Sequence, residues 1–292
     1  MNSTAGAREG HTAFPPKLRW TESTPLHLTW AGMMLGLFWK WKFFLLADRI
    51  YEAIPIHHEF FPTWLQSATV LRIAFLAAAI SVVAGWITEQ RGRRCFAAAV
   101  TWISATVMIW HQGSYNDMTF VTFWWCSLWA FWYTTRLEID TPEELYRKAG
   151  RLSRVIVSVV LLGGASGKWT AEYWSGDVLW EIYFLDRDFW VFNWLRSSFD
   201  GETLRNIATI YSRKVVLVET VAGFAVWLLP ARWAAIIGAV VFTSIALFSN
   251  FMLFSVLSPL IGLSLAGWMP RNRNDADDVS ASENKIAASV GG

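Results

Sequence analysis

Residues 68–87 read ATVLRIAFLAAAISVVAGWI, a run of twenty residues with a single charge, Arg72. At about 1.5 Å per residue a helix of this length crosses the roughly 30 Å hydrocarbon core of a bilayer. Lipid offers no partner to a backbone N–H or C=O, so a spanning run of this kind must be a helix. Working outward, comparable apolar runs occupy 25–47, 95–110, 119–135, 154–169, 214–229, 231–248 and 251–268. The last two are divided only by Ser249-Asn250. The pattern predicts an all-α fold, a polytopic membrane helical bundle of about eight transmembrane helices.

Composition agrees. Of 292 residues, 54% are hydrophobic and 16% charged, with 20 Trp and 20 Phe. A soluble domain carries roughly 25% charged residues. The net charge of +2 gives no electrostatic case for nucleic acid, so the expected partner is the lipid bilayer. Cys95 and Cys126 lie in or beside apolar runs and do not form a CxxC.

Basic residues set the expected orientation. Arg8, Lys17 and Arg19 precede the first run. Arg91, Arg93 and Arg94 follow the second, and Arg136, Arg147, Lys148, Arg151 and Arg154 follow the fourth. Arg271, Arg273 and Lys285 lie in the tail. These are alternate loops, which places both termini in the cytoplasm and the protein in the plasma (inner) membrane. The expected organisation is a cytoplasmic segment 1–24, a membrane domain 25–270 and a disordered cytoplasmic tail 271–292. No cleaved signal peptide is evident in residues 1–24. The 170–213 stretch falls outside, and is too charged to span. Its Trp174, Trp180, Phe184, Trp190 and Trp194 suit either an interfacial amphipathic loop or a cap over a lipid-accessible cavity.

Ionisable groups at membrane depth cost roughly 2.5–3.5 kcal/mol each at a helix centre, so they are the first functional candidates. Here they are Lys40, Lys42, Arg72, His111, Lys168 and Glu219, with Asp117 in the loop between the third and fourth runs. All fall in the outer half of the membrane; counting from Lys214, Glu219 is about 8 Å in. Lys40, Lys42 and Arg72 can snorkel to headgroups, and Glu219 can form an ion pair with one of the cations. Their convergence on one layer also fits a polar cavity open to the outside, lined by Lys168, Glu219, Arg72 and the Asn116-Asp117 loop. Phosphate-loop, dinucleotide, nucleophile-elbow and zincin motifs are absent. His57-His58 with Glu59 is a weak metal-ligand pattern, and no metal site is expected.

Residues 161–176 read LLGGASGKWTAEYWSG. This resembles the vitamin K-dependent γ-glutamyl carboxylase superfamily, whose shorter bacterial members are horizontally transferred transmembrane (HTTM) domain proteins. There a span ends in a Gly-rich turn with a lysine, followed by acidic, Trp and Gly positions. Ser114-Tyr115-Asn116-Asp117 is similar to the family's short lumenal loop. Glu219-Thr220-Val221-Ala222-Gly223-Phe224 is similar to its intramembrane acidic motif. Leu247-Phe248-Ser249 and Met252-Leu253-Phe254-Ser255 echo its penultimate hairpin.

The resemblance implies that Lys168 is a base toward a quinone or hydroquinone cofactor. Asp117, Asn116 and Glu219 would share the catalytic site, and Arg72, His111, Trp169 and Trp174 would bind substrate. A lysine acts as a base near neutral pH only where burial or a neighbouring cation lowers its pKa. The family's lysine pair is here Gly167-Lys168, and its histidines fall at Met118 and around Thr243. The large lumenal domain has no counterpart after 268, so glutamate carboxylation itself is not implied. Two functions stay open: a membrane enzyme acting on a quinone or isoprenoid-type lipid, and a non-catalytic membrane subunit that matures or exports a membrane or secreted partner protein. A transporter would more often show matched halves with broken helices, and the sequence has no such symmetry.

Overall fold

The computed structural model describes residues 20–49, 63–65, 67–111, 118–249 and 253–268. Among these the chain is helical, with no strand. The long helices are α1 (Trp20–Leu45), α2 (Ala68–Ile87), α3 (Arg91–Trp110), α4 (Met118–Arg136) and α5 (Pro142–Ser166). After several short helical pieces, among them α6 (Ala171–Ser175) and α7 (Trp190–Ser198), come α8 (Gly201–Leu228), α9 (Ala231–Phe248) and α10 (Phe254–Ala266). Three of them, α2, α5 and α9, are long and apolar enough to cross a membrane.

Local chemistry explains the ends. Ser67 caps α2 by accepting the Val70 amide at 3.2 Å. Thr141 caps α5, followed by Pro142 at the first turn and by Glu143 and Glu144, which suit the positive end of the helix. Pro230 separates α8 from α9 because it cannot continue a helix. The 231–268 division holds, with α9 ending at Phe248 and α10 beginning at Phe254.

Three boundaries differ from the sequence expectation. Helix α1 begins at Trp20 and holds Pro25 inside it, so the helix extends beyond the apolar run. Helix α5 begins at Pro142 and ends at Ser166, which leaves Lys168 just past the helix. Helix α8 begins at Gly201, so Glu219 sits far along it and not near its start. In each case the helix continues beyond the apolar segment, with Thr141 and Asp200 capping the polar starts of α5 and α8, and hydropathy registers only the apolar part.

The centre of the bundle is its shortest long helix. Helix α10 packs against α1, α9, α4 and α5, and its contact with α1 is the most extensive in the structure. Glycine makes that approach possible. A Cβ on Gly32 would stand 2.3 Å from the Ser258 carbonyl oxygen, and one on Gly262 would stand 2.4 Å from that of Leu28. Gly36 faces Ser255 in the same way, so small residues line the crossing. Hydroxyl-to-carbonyl bonds add ties between helices, including Ser153 to Leu263 at 2.6 Å and Tyr133 to Glu22 at 2.7 Å.

These ties also sort the two ends of the bundle. Arg91 lies 3.7 Å from Glu22, so α3 and α1 start at the same end, where α4 finishes and α5 begins. That end carries Arg91, Arg93, Arg94, Arg136, Arg147, Lys148, Arg151 and Arg154. Outward-facing side chains are largely apolar: Ile73, Leu76, Ile80, Ile87, Phe96, Ile103, Val221 and Phe224 are all exposed. A surface this apolar does not suit water.

Residues 170–213 are mostly helical. Phe184, Phe192, Leu204 and Ala208 form a small buried core of their own, surrounded by Trp180, Tyr183 and Tyr211. The segment is fastened to α8 at Gly176, whose φ of +86° and closeness to Thr209 both exclude a side chain. Arg205 pairs with Asp177 beside it.

Asp200 caps α8, and the backbone N–H and hydroxyl of Thr203 hold its carboxyl below the usual carboxylate range. A depressed folded-state pKa contributes stability that is present above the unfolded value, about 4, and lost as pH falls through the folded value. Deuterium uptake in the 200–206 segment is therefore expected to rise as pH drops below about 4. In Asp200→Asn, whose cap does not titrate, uptake should show no such step. Equal steps in both proteins would rule out the cap as the cause.

Candidate functional site

Helix α5 ends in Leu161-Leu162-Gly163-Gly164-Ala165-Ser166, and Gly167 is its cap. The small residues allow α5 to lie close against α8. A Cβ on Gly223 would meet Leu162 at 2.7 Å, and the Ser158 hydroxyl donates to the Gly223 carbonyl at 2.8 Å. One turn from Gly223 on α8 is Glu219, which this contact brings up to the end of α5. There the Lys168 ammonium donates to both carboxylate oxygens of Glu219, at 2.7 Å to Oε1 and 2.5 Å to Oε2. Gly164 leaves room for the pair: a Cβ there would stand 3.3 Å from Glu219 Oε2. The Glu219 side chain is 9% exposed and that of Lys168 24%.

The pair borders a cavity of about 460 Å³. Val121 and Trp125 of α4, Val160 of α5, Ile245 of α9 and Leu257 of α10 supply apolar wall. The 170–213 segment closes part of it with Tyr173, Leu179, Ile182 and Tyr183. Tyr211 and Ser249 also line the cavity, and their hydroxyls are hydrogen-bonded to each other. Burial pushes the Tyr173 and Tyr183 hydroxyls above the ordinary phenol value, so both are neutral. A phenol of this kind donates one hydrogen bond and accepts another. The cavity thus offers apolar bulk, a charge pair on one wall and hydroxyls on others.

The sequence-expected residues fall into three groups. Lys168 and Glu219 are together. Asn116 and Asp117 lie outside the described residues, as do His57, His58 and Glu59. The others do not line the cavity. Arg72, expected in the same pocket, instead serves the end of α1. It donates to the Phe44 and Leu45 carbonyls at 2.9 and 2.7 Å and pairs with Asp48 at 2.5 Å. Those carbonyls have no helical partner beyond the last turn, and a neighbouring guanidinium satisfies them.

His111 caps the end of α3 and is buried there. Trp169 turns outward onto α8, where its indole N–H reaches Thr220 at 3.2 Å, and Trp174 packs beside it at 5.1 Å between ring centres. Lys40 and Lys42 lie near the Phe43 and Trp41 rings. Sequence reasoning missed Tyr173, Tyr183, Tyr211 and Ser249. The signal was present as tyrosines among the tryptophans of 170–213, and as the polar break at 249. Among the described residues, no three His, Cys, Asp or Glu side chains gather as a metal site would require.

No family model matches the chain, and no curated protein or solved structure is significantly similar to it.

Proposed function

We propose that the protein is a polytopic membrane enzyme of the HTTM, γ-carboxylase-like kind. All eight long helices span the bilayer, both termini are cytoplasmic, and the cavity takes a quinol or related isoprenoid-type lipid. The observation that carries this reading is the Lys168–Glu219 pair set in the wall of an otherwise apolar, aromatic-lined cavity. A cavity of about 460 Å³ lies within the size range of small-ligand sites, roughly 300–1,000 Å³. Its phenols and charge pair match a ring that carries hydroxyl groups.

A hydroquinone bound there supplies a weakly acidic phenolic hydroxyl. Lys168 is the base. In its amine form Nζ would take the proton of that hydroxyl, and the Glu219 carboxylate, which contacts Nζ through both oxygens, would stabilise the ammonium that results. The Tyr173 and Tyr183 hydroxyls in the lining would orient the ring.

A second reading, a non-catalytic membrane subunit for a partner protein, is favoured by the exposed Trp190, Trp194 and Phe199 on the cap. Solvent extraction of the protein purified in mild detergent, followed by quantification of quinones, decides between them. The expected result is quinone well above that of a matched membrane-protein control, and its loss in Ile245→Trp, which fills the cavity. No quinone, together with no saturable binding of added menadiol, would leave the subunit reading.

A further inference from the structure

A second hollow, larger than this cavity, lies away from the site. Helices α2 and α3 enclose an outward-facing groove of about 1010 Å³. Its floor is made of short side chains, Ala77, Ser81 and Ala84 on one face of α2 and Ala97 on α3. The Ser81 hydroxyl is engaged with the Ala78 carbonyl and with Thr101 Oγ1, so the floor offers no free polar group. Ile80, Ile87 and Phe96 rise on its sides and are each about 70% exposed.

The groove runs along α2 from Ala77 to Ile87, about 15 Å at 1.5 Å per residue. That is half of the roughly 30 Å hydrocarbon core, the depth of one leaflet. A partner transmembrane helix would instead use the whole length of α2.

The two ends of the groove differ. One end is apolar. The other is formed by Thr88, Glu89, Gln90, Arg91 and Arg93, where α3 begins. Gln90 places no side-chain hydrogen bond on that helix start. Arg91 Nε is buried without a hydrogen-bond partner, and its Nη2 lies 3.7 Å from Glu22 Oε2. A buried N–H donor without an acceptor is costly, and a phosphate oxygen would satisfy it. Among the described residues, Glu89 is the only carboxylate in the lining.

We infer that the α2–α3 groove binds an anionic phospholipid of the leaflet at the basic end of the bundle, its phosphate on Arg91 and Arg93 and one acyl chain along the Ala77–Ala84 floor. The length, the apolar walls and the one-ended positive charge each match that occupant. Basic pockets between membrane helices commonly take such headgroups. The inference rests on reading the helices as membrane spans and is independent of the Lys168 chemistry.

Native mass spectrometry of the full chain in mild detergent tests it, with dioleoyl phosphatidylglycerol and dioleoyl phosphatidylcholine offered at equal concentration. Preference for phosphatidylglycerol is expected at about fivefold per arginine, the equivalent of about 1 kcal/mol each. Arg93→Gln should lower the preference about fivefold. Ala84→Trp, which blocks the floor, should abolish retention of the lipid, and Glu89→Gln should strengthen the preference. Arg93→Gln is the deciding charge variant, because Arg91 also faces Glu22 and its loss can disturb the fold.

Equal retention of the two lipids overturns the inference. So does full competition by glycerol phosphate, which would mark a site for a free anion. A dimer that forms in place of lipid would assign the groove to a second copy. A chain that stays soluble without detergent would remove the membrane reading itself, whereas lipid parity in a detergent-requiring protein removes only this site.

Discussion

Lys168→Ala is expected to abolish hydroquinone-dependent turnover while the protein still inserts, and Lys168→Arg to fail almost as completely. Loss of a general base costs typically 10²–10⁴-fold. Arginine keeps the charge and can keep the contact with Glu219, but its guanidinium does not give up its proton at any workable pH. A lysine that served only as a structural partner of Glu219 would be replaced by arginine without loss.

The geometry adds a separate arm. Glu219 is almost fully buried with Lys168 on both of its oxygens. Removing one member of a buried pair costs about 3–5 kcal/mol, because the other charge is left uncompensated. Glu219→Ala should therefore reduce the yield of folded protein. The double variant Lys168→Met, Glu219→Gln removes both charges and should recover folding without recovering turnover. Yield, thermal midpoint in detergent and hydroquinone consumption together separate the roles. Full turnover in Lys168→Arg would leave the non-catalytic membrane subunit as the better account.

Gly262→Leu is expected to prevent assembly of the bundle. The α1–α10 crossing is its most extensive contact, and a Cβ on Gly262 would stand 2.4 Å from the Leu28 carbonyl oxygen. The obstacle is backbone, so no rotamer change relieves it, and the helices must separate. Overpacking costs typically 1–3 kcal/mol even where side chains can shift; here the loss should exceed about 3 kcal/mol. Gly32→Leu should behave alike, because its Cβ would meet the Ser258 carbonyl oxygen at 2.3 Å. Gly92→Ala is the control, since nothing lies within 4 Å of the added carbon. Monodispersity on size exclusion and the thermal midpoint would read the outcome. A Gly262→Leu protein that elutes and melts like the parent would refute this account of the core.

Lys168 and Arg72 show how far the sequence reaches into the site. Both are cations at the edge of apolar runs, and from sequence both were assigned to one polar pocket. Lys168 does meet Glu219, but Arg72 is spent on the last carbonyls of α1 and on Asp48. Charge at membrane depth says that a partner is needed; it does not say which one. The choice depends on how each helix is rotated about its axis and on which helices touch, and those follow from shape. Gly223 against Leu162 sets the α5–α8 contact, and that contact delivers Glu219 to Lys168.

The sequence alone located the apolar cores of the helices, because hydropathy is local, whereas the caps Thr141 and Asp200 start α5 and α8 well before their apolar runs. It also placed the break at 249 and singled out the aromatic 170–213 segment. Only the tertiary structure decided that this segment has its own buried core and lends Tyr173 and Tyr183 to the cavity. Only it made α10 the centre of the bundle, and only it paired Lys168 with Glu219 across 51 positions of chain. Such pairings arise from close packing between helices, where a missing Cβ at Gly32, Gly223 or Gly262 decides which surfaces can approach. No one-dimensional pattern records that complementarity, because the residues that fit together are distant in the chain and small side chains leave no hydropathy signal.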